Sequence, residues 1–118
     1  MDNEHAEAEG WLHGCVRLTV QRDLAAEGKV KLLWQGRKRQ STLRYQHMTY
    51  HHFKDEKPNS IRLKGLHDEC IVQGYDLDQI EKWLDEEKIA VLRESSTSHS
   101  DGEDGQPVIL KITVRDRL

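Results

Sequence analysis

DLDQIEKWLDEE, residues 76–87, is the stretch from which the fold is read, because it carries the sustained helical period of this 118-residue chain. Leu77, Ile80, Trp83 and Leu84 recur at i, i+3, i+6 and i+7 and form one apolar stripe, while Asp78, Glu81, Asp85 and Glu86 fall on the opposite side. Asp76 stands where an N-cap belongs. Such a stripe lays a helix on a sheet, and the sequence around it reads as strands.

Upstream, Val16, Leu18 and Val20 alternate with Arg17, Thr19 and Gln21, the period of a half-buried strand. A turn at 25–28 leads to a second strand through Val30, Leu32 and Trp34, ending at Gly36. RKRQS is an exposed connection. TLRYQHMTYHHFK then sets Leu43, Tyr45, His47, Thr49, His51 and Phe53 on one face and Arg44, Gln46, Met48, Tyr50 and His52 on the other. Neither face is plainly apolar, which predicts an edge strand or two strands bent near Met48. DEKPNS is a turn, Ile61 and Leu63 point inward from a short strand, and 70–72 offers another. Beyond the helix, Ile89, Ala90, Val91 and Leu92 suit a buried strand. Val108, Leu110, Ile112 and Val114 alternate in a last strand, predicted to be central because Ile109 makes its other face apolar too. The fold class is α+β and β-rich: an antiparallel sheet curled into a small barrel or sandwich, with one amphipathic helix over 76–87 packed on it.

The opening pattern Gly14-x-Val16-x-Leu18-x-Val20, followed by KVKLLWQG, is similar to the start of the N-terminal sandwich of arrestin-like proteins. The resemblance covers the first strands alone, rests on their alternation with Gly14 and Gly36, and carries no functional residue with it. The acidic helix has no place in that pattern.

Composition bounds the rest. Hydrophobic residues are 36% and charged residues 33%, with a mean hydropathy of −0.83, so a small core must serve a heavily charged exterior. There is no apolar run of membrane-spanning length and the N-terminus is acidic, so the expectation is a soluble, cytoplasmic protein without membrane association. Residues 1–10, with Asp2, Glu4, Glu7 and Glu9, are predicted to be a disordered tail. A single domain then fills 11–118, interrupted by a flexible acidic loop at 95–106 that has no apolar side chain. Cys15 and Cys70 lack zinc-like or redox spacing and read as small buried residues.

Charge is unevenly placed. Residues 29–64 carry +8, while 1–28 carry −4 and 65–118 carry −7, for a net −3. This points to a non-enzymatic binding or regulatory module acting on a macromolecular partner, a protein adaptor or inhibitor that meets an acidic surface. The predicted partner-binding residues are Arg37, Lys38, Arg39, Arg44, Tyr50, His52, Lys54, Arg62 and Lys64. The alternative is nucleic-acid binding by 29–64, RNA or single-stranded DNA, since Trp34, Tyr45, Tyr50 and Phe53 lie among the cations. The pI of about 6.1 argues for the protein partner, and self-association of basic strands with the acidic helix is left open. An ordinary surface would result if the helix and tails lay over the basic strands and neutralised them.

No cofactor, metal site or catalytic residue is predicted. His47 and His51 share a strand face but stand roughly 13 Å apart, too far for one zinc, although a bend could bring His51 or His52 to His67, Asp68 or Cys70. His67, Asp68, Glu69 and Cys70 contain an acid, a base and a thiol, yet neighbours on a strand point to opposite faces. A His/Cys-dependent enzyme or a metal-binding protein therefore trails both binding readings.

Overall fold

The computed structural model describes residues 11–18, 29–33, 40–95 and 106–116. Among these, the strands are β1 (Trp11–Leu12), β2 (Val16–Leu18), β3 (Lys29–Leu33), β4 (Gln40–Arg44), β5 (Thr49–Phe53), β6 (Asn59–Lys64), β7 (Asp68–Tyr75), β8 (Ile89–Arg93) and β9 (Val108–Asp116), with helix α1 (Asp78–Asp85) between β7 and β8. They form two sheets, β1-β2-β8-β3-β4 and β5-β6-β7-β9, so the predicted β-rich α+β class holds and the sheets do not close into a barrel. All neighbours are antiparallel except β3 and β8. No helix among the described residues is long and apolar enough to cross a membrane. The predicted tail at 1–10, most of the loop at 95–106 and the RKR turn lie outside the described residues.

The stretch 42–54 is two strands, as its ambiguous faces allowed. A single 3-10 turn, Tyr45–His47, takes the chain from the edge of one sheet to the edge of the other. Tyr45 is buried at this crossing, and its hydroxyl donates to the Ile89 carbonyl at 3.0 Å while accepting the Ile89 N–H at 2.9 Å. Both backbone groups at the start of β8 are thereby satisfied away from water.

One core lies between the sheets and the helix. Val16, Leu43, Ile89 and Leu92 come from the five-stranded sheet, and Ile61, Leu63, Cys70, Val72, Ile109, Ile112 and Val114 from the other. Leu77, Ile80 and Leu84 of the predicted stripe are buried with them, and Trp83 packs at their margin. The helix is shorter than 76–87, and Asp76 is not its N-cap: Asp76 has φ 56° and turns the chain off β7, while Leu77 occupies the cap position without a side-chain bond. Aspartate tolerates this left-handed conformation better than most residues. At the other end Glu87 is also left-handed, with φ 55°, and closes the helix through Glu87 N–H to Leu84 carbonyl and Lys88 N–H to Trp83 carbonyl. This is a Schellman ending with glutamate where glycine is usual.

β9 departs from expectation in two ways. It is the edge strand of its sheet, not a central one, and a bulge opposite Gln73 and Gly74 shifts its alternation. Ile109, Ile112 and Val114 therefore point inward, while Leu110 is exposed. Gly74 permits the bulge, because a Cβ there would collide with the Val108 carbonyl oxygen. The edge is nonetheless occupied. Ser95 exchanges bonds with Ile109, its Oγ accepting the N–H and its own N–H donating to the carbonyl, and Glu94 accepts the Ile112 N–H. Ser95, assigned by sequence to the flexible loop, thus belongs to the folded body.

Two substitutions test these features. Tyr45→Phe, which leaves two buried polar groups at Ile89 without partners, is expected to cost about 2–4 kcal/mol in urea unfolding. Glu87→Gly, which removes left-handed strain at the Schellman ending, is expected to add about 1 kcal/mol; a loss of stability would show that the Glu87 side chain contributes more than its backbone costs.

Candidate functional site

Cross-strand pairing decides which side of β5 meets the core. Tyr50 stands opposite Leu63 and His52 opposite Ile61, so both are drawn inward; Thr49, His51 and Phe53 face out. The outward set continues across the sheet in three rows. Phe53, Ser60, Gln73 and Lys111 form the first, His51, Arg62, Ile71 and Thr113 the second, and Thr49, Lys64, Glu69 and Arg115 the third. Strands about 4.8 Å apart make this a continuous surface. It carries four cations, Arg62, Lys64, Lys111 and Arg115, against one carboxylate, Glu69.

Glu69 does not cancel the face so much as brace it. Its Oε1 accepts from Arg115 Nε at 2.8 Å, and its Oε2 lies 3.3 Å from Arg62 Nε. The Arg115 hydrogen bond, joined by the charges of Arg115, Arg62 and Lys64, holds the carboxyl below its usual range against the opposing effect of burial. Arg62 also lies over Phe53, its guanidinium carbon 5.6 Å from the ring centroid, and His51 meets Phe53 edge-on with centroids 4.5 Å apart.

The predicted binding residues divide accordingly. Arg62 and Lys64 come together on the outer face. Tyr50 is half-buried against the core, and His52, 7% exposed, faces the helix, so these two are corrected from the binding side to the core side. Lys54 is exposed but shares the inward parity of His52 and pairs with Glu81 at 3.6 Å. Arg44 ends β4 in the other sheet, beside a cleft of about 140 Å³ that it lines with His47, His67 and Asp68. Arg37, Lys38 and Arg39 lie outside the described residues. Phe53, one of the aromatics of the nucleic-acid alternative, stands on the outer face as well, together with His51, Lys111 and Arg115, which the sequence reading did not single out; the signal for the last two was the alternation of β9, which places Lys111, Thr113 and Arg115 on one side.

On the inner side of β5, His52 Nδ1 bonds Glu81 Oε1 at 2.9 Å and lies 3.7 Å from Asp78, so Glu81, read from sequence as lying opposite the apolar stripe, meets a buried imidazole. One donor atom from each of these three residues falls within 4.8 Å of the others. A ligating histidine directs its second ring nitrogen at an acceptor, whereas His52 Nε2 is buried without a partner and Lys54 Nζ lies within 4.0 Å of both carboxylates. The cluster is best described as a clasp between helix and edge strand. His67, Asp68, Glu69 and Cys70 do split between faces: Glu69 is outward, and Cys70 lies in the core with its thiol pushed up to about 12 by burial. Cys15, likewise buried, is pushed up to about 11.

No family model, curated protein or solved structure matches the chain, so the likeness of its opening strands to arrestin-like sandwiches gains no support from relatives.

The clasp predicts a pH dependence. The His52 hydrogen bond, and then Lys54, lower the Glu81 pKa against desolvation, so the stability it confers is complete above the ordinary glutamate value and lost as pH falls through the depressed one. Glu81→Gln is expected to cost about 1 kcal/mol at pH 7, with the gap from wild type closing in urea titrations as pH drops below about 4.3. A gap constant with pH would show that the carboxylate charge is not what holds the clasp.

Proposed function

We propose that the protein is a non-enzymatic binding or regulatory module that engages an anionic macromolecule through the outer face of its four-stranded sheet. The observation that carries this reading is the grid of Arg62, Lys64, Lys111 and Arg115 around Phe53 and His51, with Glu69 as its one carboxylate. The acidic helix does not lie over it: Asp78 and Glu81 pair with His52 and Lys54, on the inner side of β5. A surface whose four cations project from two strands of one sheet, β6 and β9, offers an extended negative partner several simultaneous contacts at little cost in backbone reorganisation.

The test compares two double variants with equal change in net charge. Lys64→Glu/Lys111→Glu, both at exposed outer-face positions, is expected to abolish retention on heparin that wild type shows at low salt. Lys82→Glu/Lys88→Glu, on and just beyond the helix, is expected to retain it. Melting temperatures of both should stay within a few degrees of wild type. Equal losses in the two variants would place the effect in net charge and remove the outer face from the explanation.

A further inference from the structure

The geometry points to single-stranded nucleic acid as the partner of this face, an inference that rests on the proposed binding function and names its ligand class. Cations alone would serve any polyanion; the aromatic pair is what selects. His51 is exposed and Phe53 half-buried, two residues apart on the edge strand, so their Cα atoms are separated by roughly 7 Å. Their rings meet at 67°, edge to face, and so do not stack face upon face. A base has a flat π surface to lay against such a ring, whereas an acidic peptide would satisfy the lysines and leave the rings unused. Arg62, already over Phe53, adds a planar cation between the rings and the rest of the grid.

The remaining positions fit the same ligand. Lys64 and Arg115 share one row with Glu69 between them, and Lys111 ends the row that begins at Phe53. A strand running from β5 toward β9 therefore meets aromatic rings first and phosphate-binding cations next. Gln73, Thr113 and Thr49, interspersed among them, can donate or accept hydrogen bonds at base edges or sugars. Duplex suits the face poorly. Its bases are stacked within the helix and unavailable to His51 and Phe53, and an open sheet face has no element projecting into a groove.

The experiment is fluorescence anisotropy at low salt with the full chain and four probes: labelled oligo-dT, labelled oligo-U, a DNA duplex of the same length, and a poly-glutamate peptide. Wild type is expected to bind both single strands at least tenfold more tightly than duplex or poly-glutamate. His51→Ala is expected to weaken single-strand binding by about 5-fold or more, and Phe53→Leu by up to about 150-fold, the range for losing one stacked base. Because Phe53 is half-buried, His51→Ala is the deciding variant, with His67→Ala in the separate cleft as its control. Single-strand binding unchanged by His51→Ala, or poly-glutamate or duplex bound as tightly as the single strands, would overturn the nucleic-acid inference while heparin retention upheld the binding face. Failure to bind every polyanion, heparin included, would overturn the binding face itself.

Discussion

The Tyr45 hydroxyl ties together the first two of the three crossings between the sheets among the described residues. The chain changes sheet at the Tyr45–His47 turn and again through α1, and the second crossing lands at Ile89, the first residue of β8. β8 is the centre of the five-stranded sheet, flanked by β2 and β3, so its starting point sets where that sheet begins. At this point the Ile89 N–H and carbonyl are buried, and one phenol supplies the acceptor and the donor. Burial raises the Tyr45 pKa, so the hydroxyl keeps the proton it donates throughout the ordinary pH range. A single side chain on the first crossing thus holds the end of the second.

This constraint reaches the outer face through β5. With Tyr45 fixed in the core, β5 begins at Thr49 and pairs with β6 in the register that sets Tyr50 against Leu63 and His52 against Ile61. A strand has two faces and no more, so drawing Tyr50 and His52 inward leaves His51 and Phe53 outward. Elsewhere the sheet is occupied. Ser95 and Glu94 bind backbone N–H groups on the β9 side, and Glu81 holds His52 from the helix on the inner side of β5. The outward rows are where charged and aromatic side chains remain available together.

How much of this was legible follows from what alternation can and cannot encode. The helix stripe of Leu77, Ile80 and Leu84 and the inward pair Ile61 and Leu63 could be read directly, because each contrasts apolar with polar at a fixed period. The two-strand nature of 42–54 could be anticipated but not resolved, since Tyr and His occupy both sides. Their burial depends on what lies opposite, Ile61 and Leu63, and that pairing is not local information. The same limit hid His52 from Glu81: helix periodicity put Glu81 opposite the apolar stripe without revealing that a buried imidazole of β5 would approach it. In β9 the error was one of register, as the bulge facing Gly74 exchanged Leu110 for Ile109 at the core. A glycine is visible in sequence; the backbone approach that requires it is not.

An acidic pI averaged over the chain would oppose an anionic ligand, and the arrangement of charges removes the conflict. A partner responds to local potential, while pI averages the whole chain. Here the carboxylates of Asp78 and Glu81 lie toward the inner side of β5, already paired with His52 and Lys54. Lys54, within 4.0 Å of both carboxylates, offsets part of their field on the inner side of the sheet. Glu69, the carboxylate that does stand among the cations, is bonded to Arg115 and flanked by Arg62, so its field fixes two guanidinium groups in place while Lys64 and Lys111 remain exposed. A chain of net charge −3 can in this way present a face that is positive to whatever docks on it.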